Sequence, residues 1–208
     1  MARFGRSKGA ALLAALCVLV ALMIIALSAA HSALNAEKSA RNERDRHIAF
    51  QAAEAALIDA ERDIEGGADP ASARAALFAN ASALGFDDGC GRGAGSANLG
   101  LCQYAPPGQV PAWQLADLAG PDGANSATTP YGTFTGALLP TGGAALPARP
   151  SRYIIELMPL VRAGEDAGQS VAGNLYRISA IGFGVRPNTQ VVLQSFYRKV
   201  APGQAGVQ

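Results

Sequence analysis

Histidine, tryptophan and cysteine are scarce in this 208-residue chain, which holds two, one and three of them. Both histidines, His31 and His47, fall in one stretch of helix-forming composition. That leaves no imidazole near a cleft to act as a base or as part of a zinc set. No serine sits in a G-x-S-x-G elbow, and the Gly-rich run Gly89–Gly95 lacks the lysine of a phosphate loop. Asp87-Asp88 stands alone and reads as a hydrated turn, not a calcium loop. These absences argue against the common hydrolase, metalloenzyme and nucleotide-binding designs. The expectation is a protein without catalysis, cofactor, metal or small-molecule substrate. Basic charge is also missing where nucleic acid would need it. Arg3, Arg6 and Lys8 account for three of the 17 Lys and Arg residues, and the remaining 14 face 16 acidic residues, so the chain after its first nine residues carries about −2. Proline is absent before Pro70.

The amino-terminus carries most of the information. Arg3, Arg6 and Lys8 precede Gly9, and an uncharged run follows from Ala10 to Ala30. Roughly 20 apolar residues at 1.5 Å each cross the ~30 Å hydrocarbon core of a bilayer. By the positive-inside rule the basic segment stays cytoplasmic and everything after residue 30 lies outside. Helix-forming composition continues through His31–Glu65 to a break at Gly66-Gly67. Three readings of the leader compete. A secretory signal would be cut near His31, after Ser28-Ala29-Ala30. A lipoprotein signal would need a small residue before Cys17, where Leu16 stands. Cleavage after Gly9 would keep the apolar helix in the mature protein, and the continuity of helix into stalk favours this third reading. Cys17 is a small apolar residue facing lipid or a neighbouring helix.

The stalk shows a stripe of Ala49, Ala53, Ala56, Leu57, Ala60 and Ile64 at helical spacing, suited to a sheet or a partner. The opposite surface is read as carrying the pairs Glu37–Arg41, Arg41–Asp45 and Asp59–Arg62. A short helix is expected at Pro70–Leu84, capped by Asp69 and ended by Gly85. From Gly85 to Pro150 the chain is dense in Gly, Pro, Ser, Thr and Asn, a long irregular region ordered by Trp113, Leu115 and Leu118 docking on the core and by Cys90 and Cys102. Two cysteines this close in an oxidising compartment form a disulfide, worth about 3 kcal/mol from loop-closure entropy; free thiols are the alternative. Tyr153–Val161, Leu175–Phe183 and Gln190–Tyr197 read as three strands of an antiparallel meander. Pro159 is expected at an edge or bulge. The fold class is α+β: a long amino-terminal helix, membrane half then amphipathic half, packed on a small antiparallel sheet. The organisation expected is a leader at 1–9, a membrane helix at 10–30, a stalk at 31–65 and a head at 66–208.

Taken together, KGAALLAAL at the leader junction, RDRHIAFQAAEAAL (Arg44–Leu57), YRISAIGFG and VVLQSFYRK resemble type IV minor pilins, specifically the PilX family of pilus assembly proteins. The first 65 residues carry the resemblance best, the last 35 less well, and the middle adds little. The resemblance implies a type IV pilin-like fold and cleavage by prepilin peptidase between Gly9 and Ala10, with methylation of the new amino-terminus. It implies storage in the inner membrane with the head in the periplasm, then extraction into a pilus at the cell surface among other minor pilins and the major pilin. Subunit packing would use Ala14, Arg41, Arg44, Arg46, Phe50, Glu54 and Leu57. Two positions depart from the pattern. Phe usually follows the cleaved Gly, where this chain has Ala10. The fifth mature position usually holds a glutamate that pairs with the preceding subunit's terminal amine, where this chain has Ala14. A carboxylate in lipid is kept only for such a partner, so its absence fits a subunit with none ahead of it, at the tip. It fits equally a helix that never enters a fibre. Other readings stay open: a type II secretion pseudopilin, a secreted non-pilin protein with an ordinary signal, or an adhesin that uses the Cys90–Cys102 loop.

Overall fold

A computed structural model describes residues 8–79, 83–121, 123, 125–143, 145–159 and 174–199. Residues 1–7 of the leader, Asp122 and the connection 160–173 lie outside the described residues. The chain divides into two units, Met1–Arg44 and Asp45–Gln208. Helix α1 runs Lys8–Ile64, 57 residues without a proline. In the first unit its leucines, isoleucines and valines from Leu12 to Leu27 are all exposed. This is a helix long and apolar enough to cross a membrane.

In the second unit α1 becomes a packed element. Ala49, Ala53, Ala56, Ala60 and Ile64 are fully buried and Ala52 nearly so, as the stripe predicts; Leu57 is half-buried. The helix stops where the sequence places its break. The Gly67 N–H bonds the Arg62 carbonyl at 2.9 Å and the Gly66 N–H bonds Asp63 at 3.1 Å. Gly66 takes φ +123°, a left-handed turn that costs a residue without Cβ least.

Helix α2 spans only Ala73–Ala79, shorter than expected. Asp69 does bond a backbone N–H, that of Ala71 at 2.9 Å, but this closes a turn ahead of the helix. Ser72 is the cap: its hydroxyl accepts from the Ala75 N–H at 3.1 Å, the usual third-position bond. Gly85 has φ +88° but lies beyond the end of α2, and residues 80–82 lie outside the described residues.

The sheet contains β1 (Leu101–Gln103), β2 (Thr129–Pro130), β3 (Arg152–Met158), β4 (Asn174–Phe183) and β5 (Gln190–Lys199). A four-residue helix, α3 (Ala112–Leu115), lies between β1 and β2. The meander β3-β4-β5 is antiparallel as expected, but β1 adds to β3 in parallel, so the sheet is mixed, in the order β1-β3-β4-β5 with β2 also on β3. A parallel partner from the irregular region carries too little pattern over three residues to be read from sequence. Pro159 follows the last residue of β3, where no ladder hydrogen bond is lost.

Alternation along the strands divides the core in two. Tyr153, Ile155, Tyr176, Ile178 and Ala180 face α1 with Phe78 and Phe86. Ile154, Ile181 and Phe183 face away and are covered by Cys90, Cys102, Ala112, Leu118 and Ala127 of the irregular region. Trp113 packs half-buried on this second cluster, whereas Leu115 is 60% exposed and does not dock as expected. The sequence there offers no period to say which apolar residue points inward.

Candidate assembly interface

The candidate site is the surface of α1 and the bonds that fix that helix to the head. The head holds α1 through three buried aspartates. Asp45 sits where the second unit begins, cradled by the β4–β5 turn: the Val185 N–H donates at 2.6 Å, Arg186 N–H at 3.3 Å and Thr189 Oγ1 at 2.5 Å, with Arg186 Nε at 3.2 Å. Burial pushes this carboxyl up, but the Thr189 hydroxyl, the two N–H groups and the Arg186 charge outweigh it and leave it below its ordinary value. Asp59 accepts from the Gly132 N–H at 2.7 Å and from the Thr135 hydroxyl. For this carboxyl burial wins over those bonds and holds it raised.

Asp63, fully buried, takes a forked pair from Arg74: Nε at 3.0 Å and Nη2 at 2.6 Å. The Tyr153 hydroxyl donates to the same carboxylate at 3.0 Å. Burial first, then the Asp63 charge, keep that phenol far above its ordinary range, so it remains a donor. Arg74 Nη1 reaches the carbonyls of Ala97 and Leu99 at 2.8 and 2.9 Å, and its guanidinium lies 4.1 Å from the Phe134 ring centroid. One arginine thus joins α1, α2 and the loop closed by Cys90–Cys102, which is a disulfide in the structure.

Two of the predicted surface pairs are therefore corrected. Glu37–Arg41 is present on the exposed helix. Asp45, however, is 5% exposed and pairs with Arg186 in place of Arg41, and Asp59 is buried under the 131–137 turn instead of lying on the solvent face. The i,i+4 spacing reports which residues are neighbours on a helix, but not that the head supplies better donors.

Gly182 and Gly184 are the residues that sequence reasoning missed. A Cβ on Gly182 would lie 2.0 Å from the Ala49 carbonyl oxygen and 2.3 Å from the Ala53 nitrogen; one on Gly184 would lie 2.4 Å from the Asp45 carboxylate. The helix backbone rests directly on β4 there. The signal was present as glycine near the end of a strand and again just past it, opposite an alanine stripe, the pattern of close backbone approach.

The proposed packing residues divide by unit. Gly9 and Ala10 lie in the first turn of α1, and Ala14 and Arg41 are exposed along it, as is Arg44. In the second unit Arg46, Phe50 (40% exposed), Glu54 and Ile58 (51% exposed) line up at i,i+4 on the outer face, away from the buried stripe. Leu57 is the exception, since it packs against the chain's own core. A further ion pair stiffens the sheet: Arg177 on β4 grips fully buried Glu156 on β3 with two bonds of 2.7 Å. Among the described residues no group of three or more His, Cys, Asp or Glu is placed to hold a metal.

Residues 8–57 match the PilX N-terminal family, and residues 98–199 match the C-terminal family of type IV pilus assembly protein PilX. No curated protein and no solved structure matches the chain. The matched regions take in the apolar helix, the stalk motif and the whole sheet, and on that basis the chain belongs to the PilX family of type IV pilus assembly proteins.

Proposed function

We propose that this chain is a minor pilin that primes type IV pilus assembly and remains at the pilus tip. The observation that carries this reading is the state of α1. Its apolar residues from Leu12 to Leu27 are exposed, and so is the Arg46, Phe50, Glu54 and Ile58 face. A lipid bilayer covers the apolar part during storage, and neighbouring helices bury the same surface in a fibre, which offsets the cost of extraction. Prepilin peptidase cuts after Gly9, and Ala10 becomes the methylated terminus. Ala14 offers no carboxylate to a preceding subunit's amine, which supports a first-assembled position. The partners are the other minor pilins, the major pilin and the assembly machinery, with the head in the periplasm until export.

The test is intact mass and amino-terminal sequencing of the protein from its native membrane. A chain that begins at Ala10 with one added methyl group is expected. A start near His31 means an ordinary secretory signal and ends the pilin reading.

A further inference from the structure

Strand β5 lies at the end of the sheet and pairs, among the described residues, with β4 alone. Its ten residues are paired from Asn174–Lys199 to Phe183–Gln190 without a bulge. A long, regular edge presents a row of open backbone donors and acceptors, and proteins ordinarily guard such edges with proline, bulges or charge. This one has no proline, and it is uncharged from Gln190 to Tyr197. Its charges come only at the last two positions, where Lys199 is tied to the Ile64 carbonyl. On the face away from α1, Val192 is 49% and Phe196 65% exposed, flanked by exposed Gln190, Gln194 and Arg198.

We infer that this edge pairs with the same edge of a second copy, antiparallel and centred on Gln194. The sequence is self-complementary about that residue. Gln194 meets its own counterpart, Val192 meets Phe196 on both sides of the axis, and Arg198 meets Gln190. Each copy thus sets an aromatic against a β-branched residue, a favourable cross-strand combination, and no like charges oppose. On the other face Val191 meets Tyr197 and Leu193 meets Ser195. A parallel pairing of the same edges in register would put Arg198 against Arg198.

Where α1 rests on β4, the sheet leaves room for the second copy's helix. That contact lies at Gly182, and the two β4 strands would stand three inter-strand spacings apart, about 14 Å. Two helices of ~10–12 Å diameter fit side by side at that distance. The two-fold axis is perpendicular to the sheet, so the two Asp45–Ile64 segments lie on one face and run in opposite directions. This interface is independent of the fibre position argued above.

Variants of the full chain with one free cysteine test it in detergent, in a Cys17→Ser background that keeps the Cys90–Cys102 disulfide, with a mild oxidant. Gln194→Cys sits on the axis and is expected to cross-link to a species of twice the chain mass. Gln190→Cys, which faces Arg198 of the other copy, is expected to stay monomeric. Adding Phe196→Lys, at a position exposed enough to leave folding intact, is expected to abolish the Gln194→Cys product. The inference fails if both cysteines cross-link equally, which reports collision within micelles. It also fails if Gln194→Cys stays monomeric while the Val191–Tyr197 amides resist hydrogen exchange at all dilutions, because the edge is then covered within one chain.

Discussion

Replacing Gly182 with alanine tests the packing of α1 on the sheet with one methyl group. The added carbon meets the helix backbone, at 2.0 Å from the Ala49 oxygen, 2.3 Å from the Ala53 nitrogen and 3.0 Å from the Ala52 carbonyl carbon. Ordinary contact begins at 3.4 Å, so the helix must lift by more than an ångström. No rotamer change relieves the clash, because the obstructing atoms are main chain. Lifting opens a gap beneath Ala49, Ala52, Ala53 and Ala56, and a gap of ~0.5–1 Å forfeits roughly a quarter to a half of each dispersion contact. It also draws Asp45 away from the Val185 and Thr189 donors. Overpacking costs about 1–3 kcal/mol, and a backbone obstruction places this case near 3 kcal/mol. For a domain of this size that lowers Tm by about 6–12 °C. The assay is thermal unfolding by circular dichroism of the full chain in detergent. Gly123→Ala, where the added carbon meets nothing within 4 Å, is the control and should be neutral. A Gly182→Ala shift no larger than about 2 °C would refute the close-approach argument.

Other predictions follow from the buried charges and the disulfide. Arg74→Met leaves the Asp63 charge buried without its cation, with only the Tyr153 hydroxyl on it, and urea unfolding is expected to show a loss of about 3–5 kcal/mol; a loss near zero would mean that Asp63 finds water. Replacing Cys90 and Cys102 together by alanine should cost about 3 kcal/mol. Because Ala97 and Leu99, which hold Arg74, lie inside that loop, this loss and the Arg74→Met loss should combine to less than their sum. Acid should separate Asp45 from Asp59. Asp45 is lowered when folded, so its contribution is present above its ordinary value of 3.8 and is lost as pH falls through and below that value. Asp59 is raised when folded, so its contribution is present below 3.8 and is lost as pH rises through its elevated folded value. Denaturant midpoints against pH should therefore show a flatter acid limb for Asp45→Asn and a steeper one for Asp59→Asn; identical limbs would refute both assignments.

The parts of the fold that were legible in the sequence are those where one rule acts over many residues. The apolar run, the alanine stripe and strands β4 and β5 repeat their pattern for ten residues or more and β3 for seven, and the structure places them accordingly. Short elements were missed or misplaced because single contacts decide them. Ser72 outcompetes Asp69 as the cap of α2, and β1 is three residues whose pairing depends on the turns around Asp87 and Gly100. The aspartates of the stalk were misread for a related reason. Arg41 and Arg62 are neighbours in sequence, whereas Arg74, Arg186, Thr135 and Gly132 come close only after the head has folded. The chain places no sequence marker on a carboxylate that will be buried.

Those three aspartates also determine how the head bears load. Asp45, Asp59 and Asp63 fasten one helix to three separate parts of the head: the β4–β5 turn, the 131–137 turn, and Arg74 with Tyr153. A pull along the helix axis strains all three at once, in shear, so none can yield before the others carry force. A pull across the axis reaches them one at a time, beginning with Asp45. A head fastened in this way resists a pull along α1 better than a pull across it, and it opens first at the β4–β5 turn.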